Sequence, residues 1–152
     1  MGRILIDHGI VKDMDEAFDK YLYSGGPLYV KKVKMEIQEA IKLLRDVAAV
    51  PVLAHPLDLK VDSIAVNLKE LKEIGILGVE VTYDYAHMQV KQEPSVVGEI
   101  AKDLGLIGTG GTDYHGEGWR VPLGSVTIPA DVIDRLRGAA AELGNDLHSW
   151  DR

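Results

Sequence analysis

The sequence predicts an α/β fold, a partial (β/α) barrel of about four parallel strands with helices, preceded by a small helical hairpin. Three observations predict it. Short apolar runs alternate with stretches whose apolar residues recur at helical spacing, glycine or proline punctuates the boundaries, and the first three apolar runs end in polar residues. Strands covered by helices on both faces belong to parallel sheets, and ligands of such sheets collect at the strands' carboxyl ends.

The elements follow in order, divided into residues 1–35 and 36–152. Ile4, Leu5 and Ile6 form an apolar patch closed by Gly9. Asp13 and Glu16 have capping-box spacing, and Ala17, Phe18, Tyr21 and Leu22 continue at helical spacing until Gly25-Gly26-Pro27 stops them. A polar exit follows, carrying Lys31, Lys32 and Lys34. From Glu36, the residues Ile37, Ala40, Ile41, Leu44, Val47 and Ala48 share a helical face. Val50 to Ala54 reads as the first strand, ended by His55-Pro56. A helix from Ser63 (Ile64, Leu68, Leu71, Ile74) stops at Gly75, and Leu77 to Val81 is the second strand. A helix from Ser95 closes at Gly105, Leu106 to Gly111 is the third strand, and Leu123 to Ile128 the fourth. Pro129 then opens a last helix with Val132, Ile133, Leu136, Ala140 and Leu143.

Composition narrows the function classes. The 152 residues include no cysteine, which removes disulfides, thiolate metal sites and a cysteine nucleophile. No apolar run is long enough to span a bilayer, and the chain is expected to be soluble and cytoplasmic. Seventeen Lys+Arg against 24 Asp+Glu give a net charge of −7. That balance argues against an extended nucleic-acid surface, whose affinity rests on neutralised phosphates. A small phosphorylated substrate stays open, because a bound cation inverts the local field.

His55, Glu80, Asp113 and His115 all fall where the first three strands end. In extended backbone, Asp113 and His115 would point to one face. Imidazole nitrogens and a carboxylate at the mouth of a parallel sheet would suit zinc, manganese or iron. In the bland alternative, His55 and Asp113 merely hydrogen-bond within loops, and Glu80 sits at an edge or beside a lysine. His87 would face the same mouth, whereas His8 reads as a surface turn and His148 as part of a polar tail. Tyr83, Tyr85 and Tyr114 read as loop packing. Gly108-Thr109-Gly110-Gly111 lacks the Gly-Lys-Ser/Thr ending of a phosphate loop, which argues against a nucleotide-binding fold.

Val52-Leu53-Ala54-His55-Pro56, Gly78-Val79-Glu80-Val81 and Gly110-Gly111-Thr112-Asp113-Tyr114-His115-Gly116, in that order, resemble the late motifs of the PHP (polymerase and histidinol phosphatase) family. They look most like its small metal-dependent phosphoesterases, which act on nucleotide phosphates and short RNA ends. Residues 1–32 are similar to the end of that branch's helical insertion. The resemblance implies a barrel holding divalent metal ions, with His55, Asp113 and His115 as ligands and Glu80 beside the site without a catalytic role. It leaves the catalytic residues unassigned. Lys60 and Arg120 are candidates for phosphate contact.

The family's opening His-x-His motif and its further early ligands have no counterpart here. The chain is therefore expected to correspond to the carboxyl-terminal half of a phosphoesterase, weak or inactive alone. A non-catalytic interaction module is the alternative, pairing through the open edge at Val50 to Ala54 with a second copy or with a missing half-barrel.

Overall fold

The structure, a computed structural model, describes residues 1–31, 33–86, 90–116 and 121–145. The chain divides into two compact units, Met1–Met35 and Glu36 onward.

In the first unit, helix α1 (Gly2–Asp7) precedes α2 (Met14–Ala17), which continues into a π-helical turn at Phe18–Leu22. Asp13 caps α2, its Oδ1 accepting the Glu16 N–H at 2.8 Å. Glu16 reaches back one residue further than a standard capping box, accepting the Lys12 N–H at 2.7 Å. Leu5, Val11 and Ala17 are buried together beneath Ile6, Tyr21 and Leu22. The helical hairpin read from the sequence is thus present, with the Ile4–Ile6 patch inside α1.

The second unit holds α3 (Ile37–Asp46), β1 (Val52–Leu53), a short 3₁₀ turn (Pro56–Asp58), α4 (Ile64–Ile74), β2 (Gly78–Thr82), α5 (Ser95–Asp103), β3 (Ile107–Gly110) and α6 (Asp131–Glu142). Ser63 caps α4 through a hydrogen bond from the Val66 N–H, and Gly75 ends it at φ 121°, a conformation open to glycine. The strands pair in parallel in the order β1-β2-β3, aligning Val52 with Gly78 and Gly78 with Ile107. The β2–β3 register slips between Glu80 and Thr82. Glycine at position 78 permits the close approach, since a Cβ there would lie 2.8 Å from the Ile107 carbonyl oxygen.

Two strand expectations are corrected. β1 spans two residues rather than Val50 to Ala54, because Pro51 has no N–H to donate and serves only through its carbonyl, which accepts from Leu77 and Gly78. The fourth strand does not form, and the described sheet has three. Ile128 does approach β3, for a Cβ on Gly110 would lie 2.8 Å from its Cγ2. Yet the 121–130 segment turns on itself at Ser125, whose N–H and hydroxyl both go to the Pro122 carbonyl.

The core beneath the sheet comprises Ile41, Ile64, Leu68, Leu71, Ile76, Val79, Val97, Ala101 and Leu106, drawn from α3, α4, α5, β2 and the residues that lead into β2 and β3. Burying one such aliphatic side chain contributes roughly 1.5–3 kcal/mol. Among the described residues, no helix is long and apolar enough to cross a membrane. Leu68 is fully buried at the centre of α4, so Leu68→Ala is expected to cost about 2–5 kcal/mol in urea unfolding. A change below 0.5 kcal/mol, roughly what a surface site gives, would contradict this core assignment.

Candidate functional site

Parallel pairing brings the carboxyl ends of β1, β2 and β3 to one edge of the sheet. His55 follows β1 by two residues, Glu80 lies within β2, and Asp113 follows β3 by three. The His55 backbone N–H donates to Glu80 Oε2 at 2.8 Å, tying the exit of β1 to β2. This bond matters because His55 is left-handed (φ 30°, ψ 61°), a conformation that costs a non-glycine residue of order 1–3 kcal/mol unless its surroundings hold it. Pro56 immediately begins the 3₁₀ turn, and the His55 carbonyl accepts the Asp58 N–H at 3.0 Å.

From the other side, the Tyr83 hydroxyl donates to Asp113 Oδ2 at 3.3 Å. The rings of His55 and Tyr83 lie 5.6 Å apart, and those of Tyr83 and Tyr85 4.8 Å. Burial pushes the Glu80 carboxyl above its usual range; the His55 N–H and ring oppose the shift, and the Asp113 charge adds to it. Burial likewise raises the Tyr83 phenol, helped by the Asp113 charge and by the hydrogen bond it makes there.

Asp113 and His115 meet, but not as neighbours on an extended strand. Asp113 is left-handed (φ 49°), so the alternation expected from their spacing is broken. Instead His115 folds back, placing Nδ1 against the Asp113 carbonyl and 3.7 Å from its carboxylate Oδ1. The result is a continuous line of contacts, His55–Glu80 on one side and His55–Tyr83–Asp113–His115 on the other.

These residues do not close around a cation by themselves. Among the described residues, no three His, Asp or Glu side chains gather closely enough to hold a metal ion. The donor types suit a divalent cation, but the described set does not amount to a fitted site. His87 and Arg120 lie outside the described residues. Lys60 does not join this group and lines a separate cleft that begins at Pro56. Tyr83 and Tyr85, read from the sequence as loop packing, both have polar roles. Simple alternation places residues 80 and 83 on opposite faces, and the register slip after Glu80 is what undoes that rule.

Two predictions follow from these bonds. Glu80→Ala leaves the His55 N–H without its partner and should cost about 1–3 kcal/mol in urea unfolding, while Glu80→Gln keeps an acceptor and should recover most of it. Equal losses in both variants would show that the hydrogen bond is not what matters. Tyr85 accepts the Leu57 N–H at 3.3 Å, and burial pushes its phenol from 10.0 to about 12. Between those values the unfolded chain has released this proton and the folded chain has kept it, so stability falls as pH rises. The fall should be shallower in Tyr85→Phe, measured by urea unfolding across the same pH range; an unchanged slope would contradict the assignment.

No model of a known protein family matches the chain. It is 30% identical over 123 residues to a 3′,5′-nucleoside bisphosphate phosphatase of Chromobacterium violaceum, a match covering 78% of the chain and 42% of that protein. It is 29% identical over 116 residues to a 5′-3′ exoribonuclease of Haemophilus influenzae, covering 75% of the chain and 41% of that protein. The chain thus spans about two fifths of the length of these curated relatives. Among solved structures, it superimposes on a Bifidobacterium adolescentis protein assigned as a metal-dependent phosphoesterase. The TM-score is 0.76 at 23% identity, with 97% of the chain and 50% of that structure covered. A Chromobacterium violaceum amidohydrolase with bound sulfate and no metal matches at TM-score 0.66 and 25% identity, with coverages of 95% and 52%. Motifs, fold and sequence kinship are consistent with part of a PHP-family protein, and the chain matches about two fifths of the length of its curated relatives.

Proposed function

We propose that this chain forms part of the site of a divalent-metal-dependent phosphoesterase acting on phosphate esters of nucleotides or short oligonucleotides. The line of contacts joining His55, Tyr83, Asp113 and His115 across the strand ends carries this reading. Support for the substrate class comes from the two curated relatives, a nucleoside bisphosphate phosphatase and an exoribonuclease.

In this reading His55, Asp113 and His115 are contributors to a manganese, zinc or iron site, and further ligands come from sequence outside the three motifs. Divalent ions in such sites neutralise phosphate charge and supply the hydrolytic nucleophile. The residues described here hold and orient polar groups, and no catalytic step is assigned to them. Residues 1–35 take the place of the end of the helical insertion. The interaction-module alternative gains no support from β1, whose two ladder residues offer a second chain little backbone to pair with.

Calorimetric titration of the chain with manganese or zinc tests the ligand assignment. Weak binding is expected, lowered at least about tenfold in Asp113→Ala, since losing even a group that supports a ligand typically costs about 10–100-fold. Equal heats in both proteins would overturn it. With manganese and a nucleotide 3′-phosphate, turnover should fall far below the roughly 10 s⁻¹ of a median enzyme. Turnover at that level would contradict the view that further ligands are needed.

A further inference from the structure

A cleft of about 230 Å³ opens beside the strand-end residues, lined by Pro56, Leu57, Lys60, Ile64 and Lys91 among others. It is built on the 3₁₀ turn that directly follows His55. We propose that this cleft is an anion subsite, taking a phosphate group with part of its sugar from a phosphorylated nucleoside, and that Lys60 and Lys91 bind it. This deepens the phosphoesterase reading by giving the non-reacting end of the substrate a place.

Three observations carry it. The first is charge. Lys60 and Lys91 are exposed, come from chain segments far apart in sequence, and share one cleft, and neither forms an ion pair among the described residues. In a protein of net charge −7, two uncommitted cations in one concavity depart from the average surface. Asp58 also lines the cleft, which leaves the local sum positive. The second is the wall. Pro56 and Ile64 are fully buried and Leu57 and Val61 half-buried, so the lysine charges act across a low-dielectric surface that concentrates their field.

The third observation is rigidity and size. The turn is fixed by the His55 carbonyl accepting from Asp58, the Pro56 carbonyl accepting from Leu59 and the Tyr85 hydroxyl accepting from Leu57. A preformed wall of this kind loses little entropy on binding. Its volume is below the roughly 300–1,000 Å³ of pockets that enclose a drug-sized ligand, so it fits one end of a nucleotide rather than the whole.

The test uses the full chain without added metal. Adenosine 5′-monophosphate, inorganic phosphate and uncharged adenosine are titrated separately, and ¹H–¹⁵N NMR spectra are followed. With the monophosphate, saturable shifts are expected at Leu57 to Val61 and at Lys91 and Gln92. Lys60→Ala and Lys91→Ala should each weaken binding about tenfold, Lys60→Arg should retain most of it, and adenosine should bind at least about tenfold more weakly. Inorganic phosphate should shift the same amides at higher concentration. Shifts elsewhere, unchanged affinity in both alanine variants, or equal binding of adenosine would each overturn the subsite. Because hydrolysis is not read, the two ideas fail separately. Monophosphate binding by a chain whose Asp113→Ala variant takes up metal unchanged keeps the subsite and removes the ligand assignment, whereas the reverse pattern removes the subsite alone.

Discussion

Parallel pairing of three short strands is the constraint on which the site depends. In an antiparallel sheet the ends of neighbouring strands alternate between opposite edges, and residues following β1 and β3 would meet only through long loops. Parallel pairing sends all three carboxyl ends to the same edge, so His55, Glu80 and Asp113 become neighbours despite their separation in sequence. The helices α4 and α5 make this possible as the connections between strands, and the core they bury against Val79 fixes the sheet.

Given that frame, the local chemistry turns on backbone shape. His55 and Asp113 are both left-handed without being glycine, and each has a polar partner from β2 or its exit: Glu80 for the His55 N–H, Tyr83 for the Asp113 carboxylate. Strand β2 therefore acts as a central post, holding the ends of its two neighbours. Unusual backbone at the rim of a rigid sheet is a common feature of functional sites, where surrounding bonds hold a conformation the residue would not choose alone.

Much of this was legible in the sequence. The helices declared themselves through apolar periodicity, Ser63 and Asp13 as caps, and Gly75 as a stop, and they occur where those signals stand. The motifs around His55, Glu80 and Asp113 stand at the carboxyl ends of the strands, as their place in the sequence led one to expect. Strand extents were less legible, because apolar character does not say which backbone groups find ladder partners. Pro51 shortened β1, and a local turn at Pro122 to Ser125 interrupts the segment read as a fourth strand. The parts hidden altogether were conformational. His and Asp enter the left-handed region more readily than most non-glycine residues, but identity alone does not say which of them will, and the register slip that turns Tyr83 toward Asp113 arises from pairing between strands rather than from composition. Lys60 stood out in the sequence as a candidate for phosphate contact, whereas Lys91 joins it in one cleft only through the fold.

The central claim is that the three strand ends present one shared polar surface able to attract a cation. Substoichiometric Mn²⁺, with its paramagnetic broadening of backbone amide signals followed by NMR, tests this most directly. Broadening should fall together on residues 54–56, 80–83 and 111–115, and weaken together in Asp113→Ala. Broadening confined to the acidic stretch Asp13 to Asp19, or reaching residues 111–115 without residues 54–56, would contradict the account.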